Sequence, residues 1–141
     1  VELNATTKAI LSHVDRVKPT RVIIDSLSEL RLLAQGSLRY RRQILAMKQF
    51  FIGRNCTVLL LDDKTAEPND LQLQSIAHGV VSLEHLSPEY GAARRRLCVT
   101  KLRGRPFRGG YHDFRINTGG LEVFPRLVAG EHTEVRERRL L

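Results

Sequence analysis

The stretch RVIIDSLSEL, residues 21–30, decides the fold. Three β-branched apolar residues, Val22, Ile23 and Ile24, run without interruption into Asp25. A short continuous apolar run, rather than an alternating one, predicts a strand covered on both faces of a parallel sheet. The stretch CTVLLLDD, residues 56–63, repeats the theme and ends in Asp62 and Asp63. Between the two, Ser26 or Ser28 is placed to cap a helix that runs to Gln35, with Glu29 in its first turn. Gly36 breaks that helix and Ser37 starts another, whose apolar face is Tyr40, Ile44, Met47 and Phe51. Strand, helices, strand at this spacing predicts a β-α-β crossover.

Upstream, Ile10, Val14 and Val17 recur at helical spacing across residues 5–17, and Pro19 ends that helix. Downstream the character changes. A polar loop at 64–70 leads to HGVVSLEHL (78–86) and then RRRLCVTKLRG (94–104), which alternates from Leu97 through Val99 to Lys101. Gly- and Pro-containing turns separate these from YHDFRI and LEVFP. Short strands joined by such turns predict a meander of antiparallel hairpins on one edge of the parallel sheet. The fold class is therefore α/β, a mostly parallel sheet flanked by helices, with antiparallel C-terminal hairpins. Residues 1–127 read as one domain portion and 128–141 as a charged tail or linker.

Composition narrows the function classes. The chain has 141 residues and a formal net charge of +8, from 23 Lys and Arg against 15 Asp and Glu. Eighteen of those cations are Arg, which suits bidentate recognition of phosphate or carboxylate better than a diffuse solubilising coat. No apolar stretch approaches the ~18 residues of a membrane span, and no signal peptide opens the chain. Cys56 and Cys98 give neither a disulfide framework nor a metal spacing, so a reduced, cytoplasmic protein is expected. The five histidines are scattered, and no G-x-S-x-G elbow is present.

Two groups of residues point to chemistry. Asp25 ends a buried strand, where α/β sheets bind ligands, and such an acid orients magnesium and its waters in phosphate-handling folds. The plainer alternative is that Asp25 caps the following helix. Asp62 and Asp63 occupy the same place on the next strand, so two strands deliver acids to one crevice. The second group is KLRGRPFR, residues 101–108. Lys101 and Arg103 share a strand face by period two, and Arg105 and Arg108 follow on a turn. Together they make an anion site, or else an edge charged against aggregation. Arg94, Arg95 and Arg96 read as a solvated charge run.

In order along the chain, RVIIDSLSEL, RRQILAMKQFF, TVLLLDD, HGVVSLEHL, RRRLCVTKLRG and YHDFRINTGGLEVFPRL resemble the KaiC family within the RecA-like P-loop ATPases. The Lys-Leu-Arg-Gly strand followed by Phe-x-Ile and a Gly-Leu-Glu-Val-Phe-Pro close is the more specific part. The resemblance implies a RecA-like core that binds ATP and Mg2+ and assembles as a hexameric ring. It assigns Asp25 as the Walker B acid, acting on magnesium through water, and Asp62 as the acid near the γ-phosphate. It places Lys101, Leu102 and Arg103 on the neighbouring subunit's nucleotide, with Arg103 as an arginine finger. Arg108 substitutes for the family's His or Lys in the next turn, and Asn117-Thr118-Gly119 stands where the family often has an Asp. Serine/threonine autokinase activity and circadian clock partner proteins enter only as family inheritance.

The phosphate-binding pattern G-x-x-x-x-G-K-[ST] is absent from these residues, and the family's paired catalytic glutamates with it. The chain therefore reads as the C-terminal half of one ATPase domain, inactive alone. Its sheet, left partly uncovered, is expected to self-associate or exchange strands. Two readings stand beside the ATPase. One is a recombinase-like nucleic-acid-binding protein, disfavoured because aromatics for base stacking are few. The other is a non-catalytic, P-loop-less oligomerisation module.

Overall fold

Strand β1 (Arg21–Asp25) and strand β2 (Thr57–Leu61) pair in parallel, with Arg21 opposite Thr57 and Asp25 opposite Leu61. The structure, a computed structural model, describes residues 2–63 and 71–130. The expected loop at 64–70 and the tail from residue 131 lie outside the described residues. The chain divides into two compact units, Val1–Ile76 and Ala77–Leu141. That division falls inside the stretch read from sequence as a single domain portion.

In the first unit, helices α1 (Glu2–Val17), α2 (Leu27–Ala34), α3 (Ser37–Phe51) and α4 (Leu71–Ile76) accompany the strand pair. Their shared core contains Leu3, Leu27, Leu30, Tyr40, Ile44 and Met47. Tyr40, Ile44 and Met47 are the expected inward face of α3, and the 3.6-residue period accounts for them. Helix α1 begins earlier than expected and turns inward Leu3, Thr7 and Val14, whereas Val17 is exposed. The left-handed residue that ends α2 is Gln35, at φ 57°, and Gly36 is extended ahead of α3. Lys48 reaches from α3 to the Ile76 carbonyl and ties down the end of α4.

The strands differ from expectation in one respect. Ile23 is 62% exposed and Leu59 51%, so the parallel pair is not covered on both faces among the described residues. The continuous apolar pattern is that of a two-sided sheet, and α2 and α3 cover only part of it.

The second unit is a four-stranded antiparallel sheet in the order β3 (Gly79–Leu86), β4 (Arg94–Leu102), β5 (Tyr111–Asn117), β6 (Gly120–Phe124). The hairpins therefore hydrogen-bond as a sheet of their own rather than on an edge of the parallel pair. Each strand finds its chain neighbour across a short connection, which satisfies the backbone locally. A β-bulge interrupts the β3–β4 ladder: Val80 faces Lys101, Val81 faces Val99, and the Thr100 hydroxyl donates to the Val80 carbonyl at 3.3 Å. The alternation from Leu97 to Lys101 is broken there.

One face of this sheet is a ladder of cross-strand ion pairs. Arg94 grips both oxygens of Asp113 at 2.7 and 3.2 Å. Arg96 pairs with Glu84 at 2.8 Å and lies 3.8 Å over the Tyr111 ring. These two arginines are thus structural partners and not the free charge run expected. Arg115 and Asn117 both donate to Glu122 across the β5–β6 hairpin, at 2.7 and 2.8 Å. Gly119, at φ 97°, makes that tight turn possible.

Two outcomes follow. Ile44 is 3% exposed and Leu45, its neighbour, 38%. Urea denaturation should show Ile44→Ala losing about 2–5 kcal/mol and Leu45→Ala less than about 1 kcal/mol. The Arg115 guanidinium, with the Asn117 amide second, holds the Glu122 carboxyl below its ordinary value. The hairpin's share of stability from this group is present above the usual carboxylate range and is lost as pH falls through the lowered value. Carboxyl-carbon NMR titration should find Glu122 moving up towards ordinary carboxylates in Arg115→Gln.

Candidate functional site

The parallel register makes the first half of the site. Asp25 is the last residue of β1 and lies opposite Leu61, so Asp62 is the next residue beyond the neighbouring strand. Adjacent strands run about 4.8 Å apart, and both acids therefore leave the same carboxyl edge of the sheet. Asp25 does not cap α2. The N-cap position belongs to Ser26, whose backbone is extended at φ −132°, ψ 163° and whose side chain makes no capping bond. The Ser26 hydroxyl instead meets the Ser28 hydroxyl, and the Asp25–Ser26 peptide is cis.

Asp62 is held by a residue that sequence reading passed over. Arg31, in the last turn of α2, donates to the Asp62 carboxylate at 2.8 Å, with the two side chains 22% and 29% exposed. The same guanidinium lies 5.2 Å from the centre of the Tyr40 ring. The available signal was weak: a cation in the last turn of a crossover helix, which the helix dipole favours anyway. As whole residues Asp25 and Asp62 are both exposed.

Among the described residues, no group of three His, Cys, Asp or Glu side chains gathers to hold a metal. The donors present still fit magnesium. That ion keeps several waters and is bound through one or two carboxylates together with substrate phosphates, not through an all-protein cage. Asp25 is an exposed carboxylate at the sheet's carboxyl edge.

The second group of candidates lies in the second unit. Lys101 is half-buried opposite Val80, and Leu102, the last residue of β4, is opposite Gly79. Arg103 begins the turn, and its N–H donates to the His78 carbonyl at 2.8 Å. β4 ends at Leu102, so Arg103 stands on the turn and not on a strand face shared with Lys101 as expected. Gly104, at φ 74°, then turns the chain. Arg108 is exposed, and its guanidinium donates to the Arg126 carbonyl at 3.2 Å. His112, buried at the start of β5, locks the same loop. Its Nδ1 accepts the Arg126 N–H at 2.8 Å, and its Nε2 lies 3.0 Å from the Arg108 carbonyl, which can only accept. The neutral, Nε2-protonated tautomer meets both demands. Nothing in the sequence marks His112, because its partners are backbone groups brought near by folding. Asn117 is likewise engaged, on Glu122 within its own hairpin.

The family model for the KaiC ATPase matches residues 1–128. The chain belongs to the KaiC ATPase family. It is 26% identical over 114 residues to UPF0273 proteins of Thermotoga maritima and Pyrococcus furiosus, in each case across 79% of its own length. It covers 46% and 45% of those proteins, so it spans about half the length of the curated relatives it matches. A crystal structure of a KaiC-like protein from Pyrococcus horikoshii OT3 superimposes with a TM-score of 0.69 at 20% identity, covering 87% of this chain and 57% of that one. The fold is thus α/β with a RecA-like core, carried in part. No helix of the described residues is long and apolar enough to cross a membrane.

The Arg31–Asp62 contact is measurable. A double-mutant cycle of Arg31→Met and Asp62→Asn should return a coupling of about 1–2 kcal/mol, between exposed pairs and fully buried ones. A coupling near zero would mean that the pair does not hold Asp62 in solution.

Proposed function

We propose that the protein carrying this chain is a ring-forming ATPase, in which these residues supply one edge of the nucleotide site in cis and one strand in trans. The observation that supports it is the parallel register that brings Asp25 and Asp62 to one sheet edge. In this reading Asp25 orients magnesium through water, and bound magnesium neutralises charge on the phosphate oxygens. Asp62, steadied by Arg31, faces the γ-phosphate. Lys101, Leu102 and Arg103 extend to the neighbouring subunit's nucleotide, where Arg103 stabilises charge that develops on the transferred phosphoryl group. Arg105 and Arg108 are the remaining cations of that segment, and Arg108 donates through one of its nitrogens to the Arg126 carbonyl. The phosphate cradle comes from sequence outside these residues. Hexameric order, autokinase activity, clock partners and a cytoplasmic location extend the proposal by family resemblance, and no single residue of the chain carries them.

The test is ATP turnover by the protein that contains this chain together with a phosphate-binding loop, wild type beside Arg103→Ala, with oligomeric state followed by sedimentation. Arg103→Ala should keep the ring and lose on the order of 10³-fold or more in turnover. Unchanged turnover in an intact ring would overturn the trans-acting role. Asp25→Asn should separately weaken the dependence on magnesium.

A further inference from the structure

Helix α3 has two apolar faces, and only one of them is used. Tyr40, Ile44 and Met47 enter the core. On the solvent side Leu38 is 62% exposed, Leu45 38%, and Ile52, at the helix cap, 59%. These three recur at an interval of seven residues, with Arg42 and Gln49 between them. Seven residues bring an α-helix back to within about 20° of the same direction, so the three form a narrow seam. The spacing is that of a surface on which a second helix packs.

The charge around the seam has one sign. Between Glu29 and Asp62 the chain carries six cations and no acid. Arg31 is on Asp62, Arg54 on Asp15, and Lys48 on the Ile76 carbonyl. Arg39 and Arg42, which flank the seam, are exposed and have no ion-pair partner among the described residues. No acid occupies the first turn of α3, where the helix dipole favours one, and arginines crowd its first two turns instead. A local rule broken this way is a mark of a functional surface.

We propose that this face of α3 is a docking seam for an acidic amphipathic helix of a partner protein. Its leucines would fill the gaps along Leu38, Leu45 and Ile52, and its flanking carboxylates would meet Arg39 and Arg42. A second copy of the chain fits poorly, because seam on seam sets arginines against arginines. Nucleic acid finds no aromatic side chain in the seam on which to stack. A lipid surface needs a broad apolar face, and the broad face of α3 is already buried.

The experiment uses two labelled synthetic helices with the same leucine heptads, one flanked by Glu and one by Lys, and follows their binding to the chain by fluorescence anisotropy. Vesicles of anionic phospholipid and an oligothymidine strand serve as alternative ligands. The Glu helix should bind, weaken as salt rises, and lose at least about tenfold in affinity to Leu45→Ser and to Arg42→Glu. Both sites are exposed, and circular-dichroism melts should show both variants folded. Arg42→Glu should gain affinity for the Lys helix, which a merely unfolded variant would not do. Failure of the Glu helix to bind, equal binding of both helices, or indifference to both substitutions would overturn the proposal. So would vesicles or oligothymidine binding through Leu45 and Arg42 in place of the peptide.

Discussion

Everything in the first unit depends on the register between two five-residue strands. With Arg21 opposite Thr57, Asp25 falls at the same level as Leu61 and Asp62 just beyond it. A slip of one residue would send the apolar set of one strand to the other face and change the relative level of the acids. The crossover enforces the register from one side, because α2 and α3 must both lie against the strands. Leu27, Leu30 and Ala34 from α2 pack with Tyr40, Ile44 and Met47 from α3, and Ile24 of β1 packs against that cluster. The chemistry of the edge is thus a by-product of core packing some distance from it.

The periodic features were legible in the sequence and the contact-dependent ones were not. The inward stripe of α3 and the order of the strands follow from spacing alone. The acids at the strand ends were visible for the same reason, since a strand boundary shows wherever an apolar run meets Asp. Arg31 was not, because nothing local says which way a helix cation will turn. His112 was hidden more deeply, as both its partners are main-chain groups, one four residues back and one fourteen residues on. The bulge at Thr100 left the strand readable but shifted which residues share a face. Burial of the parallel pair was overestimated, because an apolar strand advertises two covered faces whether or not the residues at hand supply both covers.

The net charge of +8 divides into two populations. In the second unit Arg94, Arg96 and Arg115 each meet an acid on the next strand, so they stitch the sheet and contribute little outward field. Such exposed pairs are individually weak, but they set register by punishing like-charge neighbours. Arg39 and Arg42 on α3 are different: they are exposed and meet no acid among the described residues. A charge that is not balanced within its own unit is available to something outside it. The sequence total hides this distinction, which appears only once the partners of each arginine are known.

The two acids at the sheet edge, both exposed, have different neighbours. The Asp62 side chain, at 29% exposure, meets a cation of its own. Arg31 supplies it, and the stacking of Arg31 beside Tyr40 keeps that guanidinium from swinging into solvent. Asp25 remains exposed, so water screens it and no side chain must neutralise it. A carboxylate already paired with arginine is a poor ligand for a further cation, whereas a hydrated one exchanges its water for another at little cost. The two acids therefore differ before any ligand arrives: Asp62 lies against Arg31, and Asp25 faces water.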